Sequence, residues 1–116
     1  MKTAVEGTKI KRFCKVIGIK PEKREEYLQL HQNVWPEVCE NIREANIRNY
    51  SLFLRGELLI QYYEYHGDDI EADFQKDLNS EVKQKWESLC KPCQQPLEDS
   101  LEGEWWSDME EIMHCD

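Results

Sequence analysis

Residues 27–37, YLQLHQNVWPE, combine groups that can exchange protons with aromatic surfaces. Tyr27, His31 and Trp35 follow one another at spacings of four, so on a helix they share one face. A tyrosine hydroxyl and an imidazole can form hydrogen bonds and move protons, and an indole offers an apolar or stacking surface. Pro36 lacks the backbone donor that a continuing helix uses, so a helix break beside this face can open a pocket.

The same pattern has a plainer interpretation. An aromatic stripe with one histidine at helical spacing is also typical of a helix face that packs into a core. Taken alone, residues 27–37 therefore leave both a functional pocket and a core face open.

The composition limits the classes of partner. Fifteen Lys and Arg against 24 Asp and Glu give a net charge of −9, which opposes binding to nucleic-acid phosphates and to anionic membrane surfaces. The chain contains no apolar run of membrane-spanning length, and its N-terminus lacks the apolar core of a signal peptide. Five cysteines, an odd number, fit a reducing compartment better than a disulfide framework. We therefore expect a soluble, cytoplasmic protein.

The order of predicted elements indicates an α+β fold. We expect a flexible N-terminal tail over residues 1–8 and a single domain over residues 9–116. Apolar and β-branched runs predict strands over 10–19, 49–54, 58–65 and 105–115, and helical periodicity predicts helices over 21–46, broken at Pro36, and 70–89, broken at Asn79 and Ser80. Residues 91–104 are predicted to form a loop or lid. This βαββαβ order is that of the ferredoxin-like fold. The first strand is apolar on both sides, as in a strand inside a sheet that another subunit can cover.

Four soft ligands suggest a competing metal site. Cys90-x-x-Cys93 followed by the adjacent His114 and Cys115 has a composition that a structural zinc site can use. However, a lysine and a proline fill the gap between the first two cysteines, and adjacent residues on a strand point to opposite faces. A redox interpretation of this CxxC has less support because no strand directly precedes it. A metal at Cys90 and Cys93 therefore stays open as the less favoured interpretation.

The remaining polar and aromatic residues are typical of a sugar site. The chain has no Gly-rich phosphate loop and no GxSxG elbow, so phosphoryl transfer and serine hydrolysis have no support. Aromatic rings that stack on the C–H face of a sugar remain, together with hydroxyls and one titratable imidazole. Core packing is the alternative for each aromatic residue taken alone. Glu64 is a candidate general base only if its side chain points inward. The candidates are Tyr27, His31, Trp35, Tyr50, Tyr62, Tyr63, Glu64 and Trp86.

Several segments resemble one family in order and spacing. The tyrosine and histidine at spacing four, followed by Asn33-Val-Trp35-Pro36-Glu37, resemble the signature of the L-rhamnose mutarotase family. Asn49-Tyr50 and Gln84-Lys-Trp86 resemble two further family elements, and the resemblance extends over residues 10–114. It favours the functional interpretation of the face formed by Tyr27, His31 and Trp35.

The resemblance implies a homodimeric α/β-barrel built on the ferredoxin-like fold. It also implies interconversion of the α and β anomers of L-rhamnose or a related 6-deoxy-sugar, without a metal or organic cofactor. It assigns His31 as the proton donor and places Tyr27, Tyr50, Trp86 and Trp35 in the sugar site. Ring opening needs a proton delivered to the ring oxygen and one removed from the anomeric hydroxyl, and histidine ordinarily exchanges a proton near neutral pH.

Two departures from the family pattern leave alternatives open. The family's paired tryptophans in the second helix are here Trp86 and Glu87, and its Asn-Pro-Asp-Asn-Ser-Pro loop is KPCQQP over residues 91–96. These changes concern the identity of the sugar more than the type of reaction. The alternative to a mutarotase is a non-catalytic small-ligand-binding or interaction protein on the same dimeric barrel, which would bind without altering anomer exchange.

Overall fold

The computed structural model describes residues 10–116, which form an antiparallel sheet covered on one face by helices. The strands are β1 (Lys11–Ile19), β2 (Ile47–Arg55), β3 (Leu58–Tyr65), β4 (Gln94–Gln95) and β5 (Ser107–Asp108). The helices are α1 (Arg24–Gln32), α2 (Pro36–Glu44), α3 (Ile70–Leu78) and α4 (Glu81–Cys90), and short 3-10 turns occupy Pro21–Lys23 and Lys91–Cys93. The tail predicted over residues 1–8 and the start of the predicted domain at residue 9 lie outside the described residues.

The sheet confirms the predicted α+β, ferredoxin-like fold class. Its strand order is β2-β3-β1-β4, with β5 also pairing with β1. Each helical connection contains two helices because the chain restarts at two signals that the sequence carries. Pro36 occupies the first turn of α2, and the Ser80 hydroxyl accepts a hydrogen bond from the backbone N–H of Lys83 at the start of α4. None of the helices in residues 10–116 has the length and apolar character of a membrane span.

The main core lies between the inner face of the sheet and the helices. Ile17, Ile19 and Leu59 point inward from β1 and β3 and are almost fully buried. They pack against helical side chains that include Tyr27 and Trp86. Burying a large apolar side chain contributes about 1.5–3 kcal/mol, so this layer fixes the helices that carry two of the candidate site residues.

The prediction of a last strand over residues 105–115 is wrong for most of its length. Only Ser107–Asp108 pairs with β1, and residues 109–116 have no regular structure. The alternating apolar side chains of this segment do not pack against another surface, since Ile112 and Met113 remain 89% and 75% exposed. Acidic residues also have low strand propensity. β1 also pairs with β4, which lies inside the segment that was predicted to be a loop.

Gly18 allows β4 to approach β1 closely. It lies opposite Gln95 in the pairing of the two strands, and Lys20 donates a backbone hydrogen bond to the carbonyl of Cys93 at 2.9 Å. A Cβ atom built on Gly18 would lie only 2.8 Å from the Gln95 carbonyl oxygen. The absence of a side chain at this position therefore sets where the polar strand β4, including Gln94, sits on the sheet.

We expect Gly18→Ala to lower the free energy of unfolding by about 1–3 kcal/mol, because backbone atoms must move to admit the methyl group. Urea unfolding followed by circular dichroism measures this loss. Lys11→Ala, at the exposed beginning of the same strand, is the matched control and should change the free energy by less than about 0.5 kcal/mol. Equal stability of the two variants would contradict the close pairing of β4 with β1.

Candidate active site

A cavity of about 1190 Å³ lies between the inner face of the sheet and the helices. Four of the five residues predicted for the site line it: Tyr27, His31, Tyr50 and Trp86. The structure thus brings together side chains from α1, β2 and α4. Such a concave, partly apolar site with a few converging polar groups is typical of small-molecule binding.

The imidazole of His31 is held between two aromatic rings. Its centroid lies 4.3 Å from that of Tyr27, one turn earlier on α1, and 5.2 Å from that of Trp86, which it meets edge to face. Its Nδ1 lies 2.9 Å from the backbone carbonyl oxygen of Tyr27. A carbonyl oxygen only accepts, so Nδ1 carries a hydrogen and Nε2 is the nitrogen left to exchange a proton. Among residues 10–116, no group forms a hydrogen bond with that Nε2.

Trp35 is not among the residues that line the cavity, so its predicted place in the sugar site stays a prediction. The prediction assumed one continuous helix face, but α1 ends at Gln32 and residues 33–35 are not helical. The indole of Trp35 instead meets that of Trp86 edge to face, with centroids 5.2 Å apart. It therefore supports a cavity residue from the core side.

A β-bulge directs Tyr50 into the cavity. In the pairing of β2 with β3 the register shifts between Arg48 and Ser51, so β2 contains one extra residue there. Asn49, inside the bulge, has a positive φ of 55°, a conformation that asparagine adopts more readily than most residues. The extra residue reverses the alternation, and Tyr50 joins Leu52 on the cavity side.

The Tyr50 hydroxyl is committed as a donor. It lies 2.6 Å from the side-chain Oε1 of Gln61, an inward-pointing residue of β3 that is 7% exposed. Because that amide oxygen only accepts, the tyrosine hydrogen is used in this bond and the oxygen lone pairs remain for a ligand. Desolvation raises the pKa of Tyr50 above its usual value, so the phenol stays neutral.

The Tyr27 hydroxyl has the opposite arrangement. It accepts a hydrogen bond from Nε2 of Gln94 at 3.1 Å, and Oε1 of the same amide accepts from the indole N–H of Trp105 at 2.7 Å. Burial raises the pKa of Tyr27, so this phenol also keeps its proton. Sequence reasoning missed Gln94 and Trp105, since a polar residue in a predicted loop and a tryptophan near the chain end give no local signal.

A charged cluster from α3 and α4 forms another part of the cavity wall. Nζ of Lys83 lies 3.1 Å from Oδ2 of Asp77 and 3.4 Å from Oε2 of Glu87, and all three residues line the cavity. Desolvation opposes the positive charge of Lys83, but the two carboxylates outweigh it and raise its pKa, so the ammonium is retained. Glu87, noted in the sequence as a departure from the family pattern, thus gives the cavity a polar wall.

Glu64 does not point into the cavity, so it is not the inward base that the sequence left open. It lies on the outer face of β3, where the alternation turns Gln61 and Tyr63 inward. Its carboxylate oxygens lie 2.8 Å from Nε2 of His66, 2.8 Å from the Tyr62 hydroxyl and 3.0 Å from Nδ2 of Asn49. These hydrogen bonds, that of His66 first, lower the pKa of Glu64 to about 2.

The four soft ligands of the competing zinc interpretation are not gathered into one site. Cys90 and Cys93 are buried in the core, whereas His114 and Cys115 lie in the exposed C-terminal segment. Burial raises the pKa of Cys90 to about 12, so in the metal-free protein it remains a protonated thiol. Within residues 10–116, no three His, Cys, Asp or Glu side chains are placed to hold a metal ion.

Comparison with known sequences identifies the family. The sequence model described as L-rhamnose mutarotase matches residues 12–115. The chain belongs to the L-rhamnose mutarotase family. It is 35% identical to a "UPF0734 protein" of Dictyostelium discoideum, over 91% of this chain and 90% of that one. It is 27% identical to an L-rhamnose mutarotase of Oceanobacillus iheyensis, over 92% of this chain and 100% of that one.

The fold agrees with this membership. A crystal structure of an L-rhamnose mutarotase from Formosa agariphila superposes with a TM-score of 0.66 at 16% identity, covering 91% of this chain and 99% of that one. The family and the named relatives support a sugar mutarotase function, and hence an isomerase. The family and the type of reaction expected from the sequence are thereby confirmed.

We expect Glu64→Gln to leave anomer exchange unchanged and to alter stability in acid. Because the folded-state pKa is lowered from 4.5 to about 2, the carboxylate stabilises the fold above pH 4.5, and this contribution is lost as the pH falls towards 2. The wild type should therefore lose stability over that interval more steeply than the variant, as measured by urea unfolding at several pH values.

Glu110→Gln is the matched control for this substitution. Its exposed carboxylate forms no hydrogen bond or ion pair with the other described residues, so its acid unfolding profile should follow that of the wild type. Loss of anomer exchange in a folded Glu64→Gln variant would contradict the position of Glu64 outside the reacting site.

Proposed function

We propose that this protein interconverts the α and β anomers of L-rhamnose or a closely related 6-deoxy-sugar, with His31 as the proton donor. The observation that carries the proposal is the imidazole on the cavity wall, with Nδ1 committed to the Tyr27 carbonyl and Nε2 available. Membership of the L-rhamnose mutarotase family supports the choice of sugar.

The reaction needs only proton transfers and a bond rotation. The imidazolium of His31 donates its Nε2 proton to the ring oxygen while the bond from that oxygen to the anomeric carbon breaks. The anomeric hydroxyl loses its proton to a base, and its oxygen becomes the aldehyde carbonyl. After rotation about the adjacent carbon–carbon bond, the reverse steps close the ring with the opposite configuration. Atoms and electrons balance without an additional reactant.

The aromatic and polar residues of the cavity have distinct roles in this proposal. Tyr50 accepts a hydrogen bond from a sugar hydroxyl because its own hydrogen is committed to Gln61. The indole of Trp86 stacks on an apolar C–H face of the sugar, and Trp35 acts through Trp86 by holding that ring. The cavity has room for the sugar with its ring open as well as closed.

We expect His31→Ala to slow anomer exchange by on the order of 10²- to 10⁴-fold, since general acid catalysis at one group contributes roughly that much. The measurement is NMR saturation transfer between the α and β signals of L-rhamnose, with and without protein, repeated with L-fucose to rank substrates. His114→Ala, at an exposed histidine whose one hydrogen bond within residues 10–116 is to Asp116, is the matched control and should retain full activity.

Two outcomes would change this proposal. Exchange at the wild-type rate in a folded His31→Ala variant would remove His31 from the reaction. If the wild-type protein binds these sugars but accelerates exchange of none of them, the cavity belongs to a non-catalytic sugar-binding protein.

We further propose that the protein is a homodimer formed through the outer face of the sheet. The helices leave this face uncovered, and Phe53 and Leu58 on it are 61% and 46% exposed. Ile60 pairs with Phe53 on β2 and with Val16 on β1, and Leu58 lies two residues before it on β3, so the centre of the face is apolar. A sheet face open to water is normally polar, and an apolar patch of this kind marks an interaction surface.

We expect Phe53→Asp to weaken dimerisation at least about tenfold, because a buried carboxylate without a partner is costly at the centre of an interface. Sedimentation velocity over a concentration series should show the variant shifted towards a 13.9 kDa monomer. Leu101→Asp, at an apolar residue that is 72% exposed outside this face, is the matched control. A wild-type protein that stays monomeric at high concentration would overturn the dimer.

A further inference from the structure

We propose that Gln94 and Trp105 are positioning residues that make Tyr27 a hydrogen-bond donor to the sugar. This inference rests on the proposed function, because it assigns a direction to one contact within the same cavity. Neither residue is among the site residues predicted from the sequence, which are Tyr27, His31, Trp35, Tyr50 and Trp86. The three side chains all line the cavity, and a chain of hydrogen bonds from Trp105 through Gln94 to Tyr27 connects them.

The first link fixes the orientation of the Gln94 amide. The indole N–H of Trp105 can only donate, and it lies 2.7 Å from one end of that amide. This end must therefore be the oxygen, and the amide nitrogen faces the other way. Gln94 is 3% exposed, so no bulk water competes for either end.

The second link fixes the direction of the Tyr27 hydroxyl. The amide nitrogen of Gln94 only donates, so at 3.1 Å the phenol oxygen of Tyr27 is the acceptor. The tyrosine hydrogen is not used in this bond, and no group among residues 10–116 accepts it. Tyr27 is 3% exposed and retains its proton. A buried hydroxyl with an unused hydrogen at a cavity wall has a ligand oxygen as its natural acceptor.

The two tyrosines of the cavity consequently have opposite polarity. The Tyr50 hydroxyl donates its hydrogen to Gln61 and can accept a hydrogen bond from a ligand. The Tyr27 hydroxyl accepts a hydrogen bond from Gln94 and can donate its own hydrogen to a ligand. In each case the side-chain amide of a glutamine decides the direction. A sugar hydroxyl or ring oxygen can accept from Tyr27 while another hydroxyl donates to Tyr50, so the pair selects one orientation of the sugar.

The decisive variant is Gln94→Glu, which keeps the size and shape of the side chain. Its carboxylate accepts from Trp105 with one oxygen and from the Tyr27 hydroxyl with the other, and so withdraws the tyrosine hydrogen from the sugar. We expect kcat/KM for anomer exchange to fall by roughly 10- to 100-fold at pH 8, the usual effect of one buried polar partner left unpaired.

The pH dependence separates positioning from a structural role. Once protonated, the new carboxyl presents an accepting oxygen to Trp105 and an O–H to Tyr27, as the amide does. The ratio of variant to wild-type kcat/KM, each corrected for uncatalysed exchange, should therefore recover as the pH is lowered. A structural defect from the new buried charge would instead appear as a matching pH dependence of the variant's free energy of unfolding in urea. A kcat/KM ratio that only follows that free energy, or that does not change with pH, would overturn the proposal.

Two further variants complete the experiment. Gln95→Glu, at the exposed neighbour in β4, is the matched control and should leave exchange unchanged at every pH. Trp105→Phe keeps a ring but removes the donor that orients the amide, so kcat/KM should fall several-fold with stability in urea retained. A kcat/KM for anomer exchange equal to that of the wild type in both the Trp105→Phe and the Gln94→Glu variants would also overturn the proposal. If Gln94→Glu does not fold, Trp105→Phe decides by itself.

Failure of this inference can be distinguished from failure of the proposed function. Wild-type exchange of L-rhamnose is measured first, and it depends on neither variant. If the wild type binds the sugar without accelerating exchange, the affinity measured by NMR titration replaces kcat/KM. The Gln94→Glu variant should then bind more weakly at pH 8 and regain affinity as the pH is lowered, and a pH-independent affinity would overturn the inference.

Discussion

The pairing of the central strand β1 on both of its sides is the constraint on which the site depends. On one side β1 holds β3, which supplies Gln61 to the cavity, and on the other it holds β4, which supplies Gln94. Gly18 permits the second contact because its backbone lies so close to that of Gln95. The floor and one wall of the cavity are thus fixed to a single strand whose side chains Ile17 and Ile19 are almost completely buried.

The site also shows how side-chain amides set the direction of hydrogen bonds. A tyrosine hydroxyl can donate or accept, so its position alone does not say which kind of ligand group it can bind. Gln61 accepts the hydrogen of Tyr50, so that hydroxyl is left to accept from a ligand. Gln94 donates to Tyr27, so that hydroxyl is left to donate to a ligand. The backbone carbonyl of Tyr27 likewise fixes the tautomer of His31, because it accepts a hydrogen bond from Nδ1. The polar groups of the cavity are therefore oriented before a ligand arrives, which reduces the cost of binding and reaction.

The inner and outer faces of the sheet carry different features. The inner face combines the core with the cavity, while the outer face has an apolar centre beside the hydrogen-bonded cluster around Glu64. A ferredoxin-like sheet hosts many activities, so the fold alone does not assign a reaction. The position of His31 between Tyr27 and Trp86, together with the family signature, carries that assignment for this chain.

The sequence by itself determined the features that depend on neighbours within one turn or along one strand. The spacing of Tyr27 and His31, the helix breaks at Pro36 and Ser80, the alternation along β3 and the family signature were all readable in this way. The resemblance also selected Tyr50 and Trp86, but it gave no geometry for them. These residues could be predicted because short-range helical and strand periodicities largely survive in the folded protein.

Only the tertiary structure decided the features that join distant segments. Tyr27 and Gln94 are 67 positions apart, and neither residue carries a local signal of the bond between them. The β-bulge that turns Tyr50 inward and the end of α1 that removes Trp35 from the shared face each break a regular periodicity. The strand predicted near the chain end is wrong after Asp108, because the alternating residues there have no surface to pack against. The polar residues of β4 form a strand through their contact with β1. Periodicity in the sequence indicates which side chains share a face of a helix or strand. The packing of distant segments decides whether that face contacts the core, the cavity or solvent.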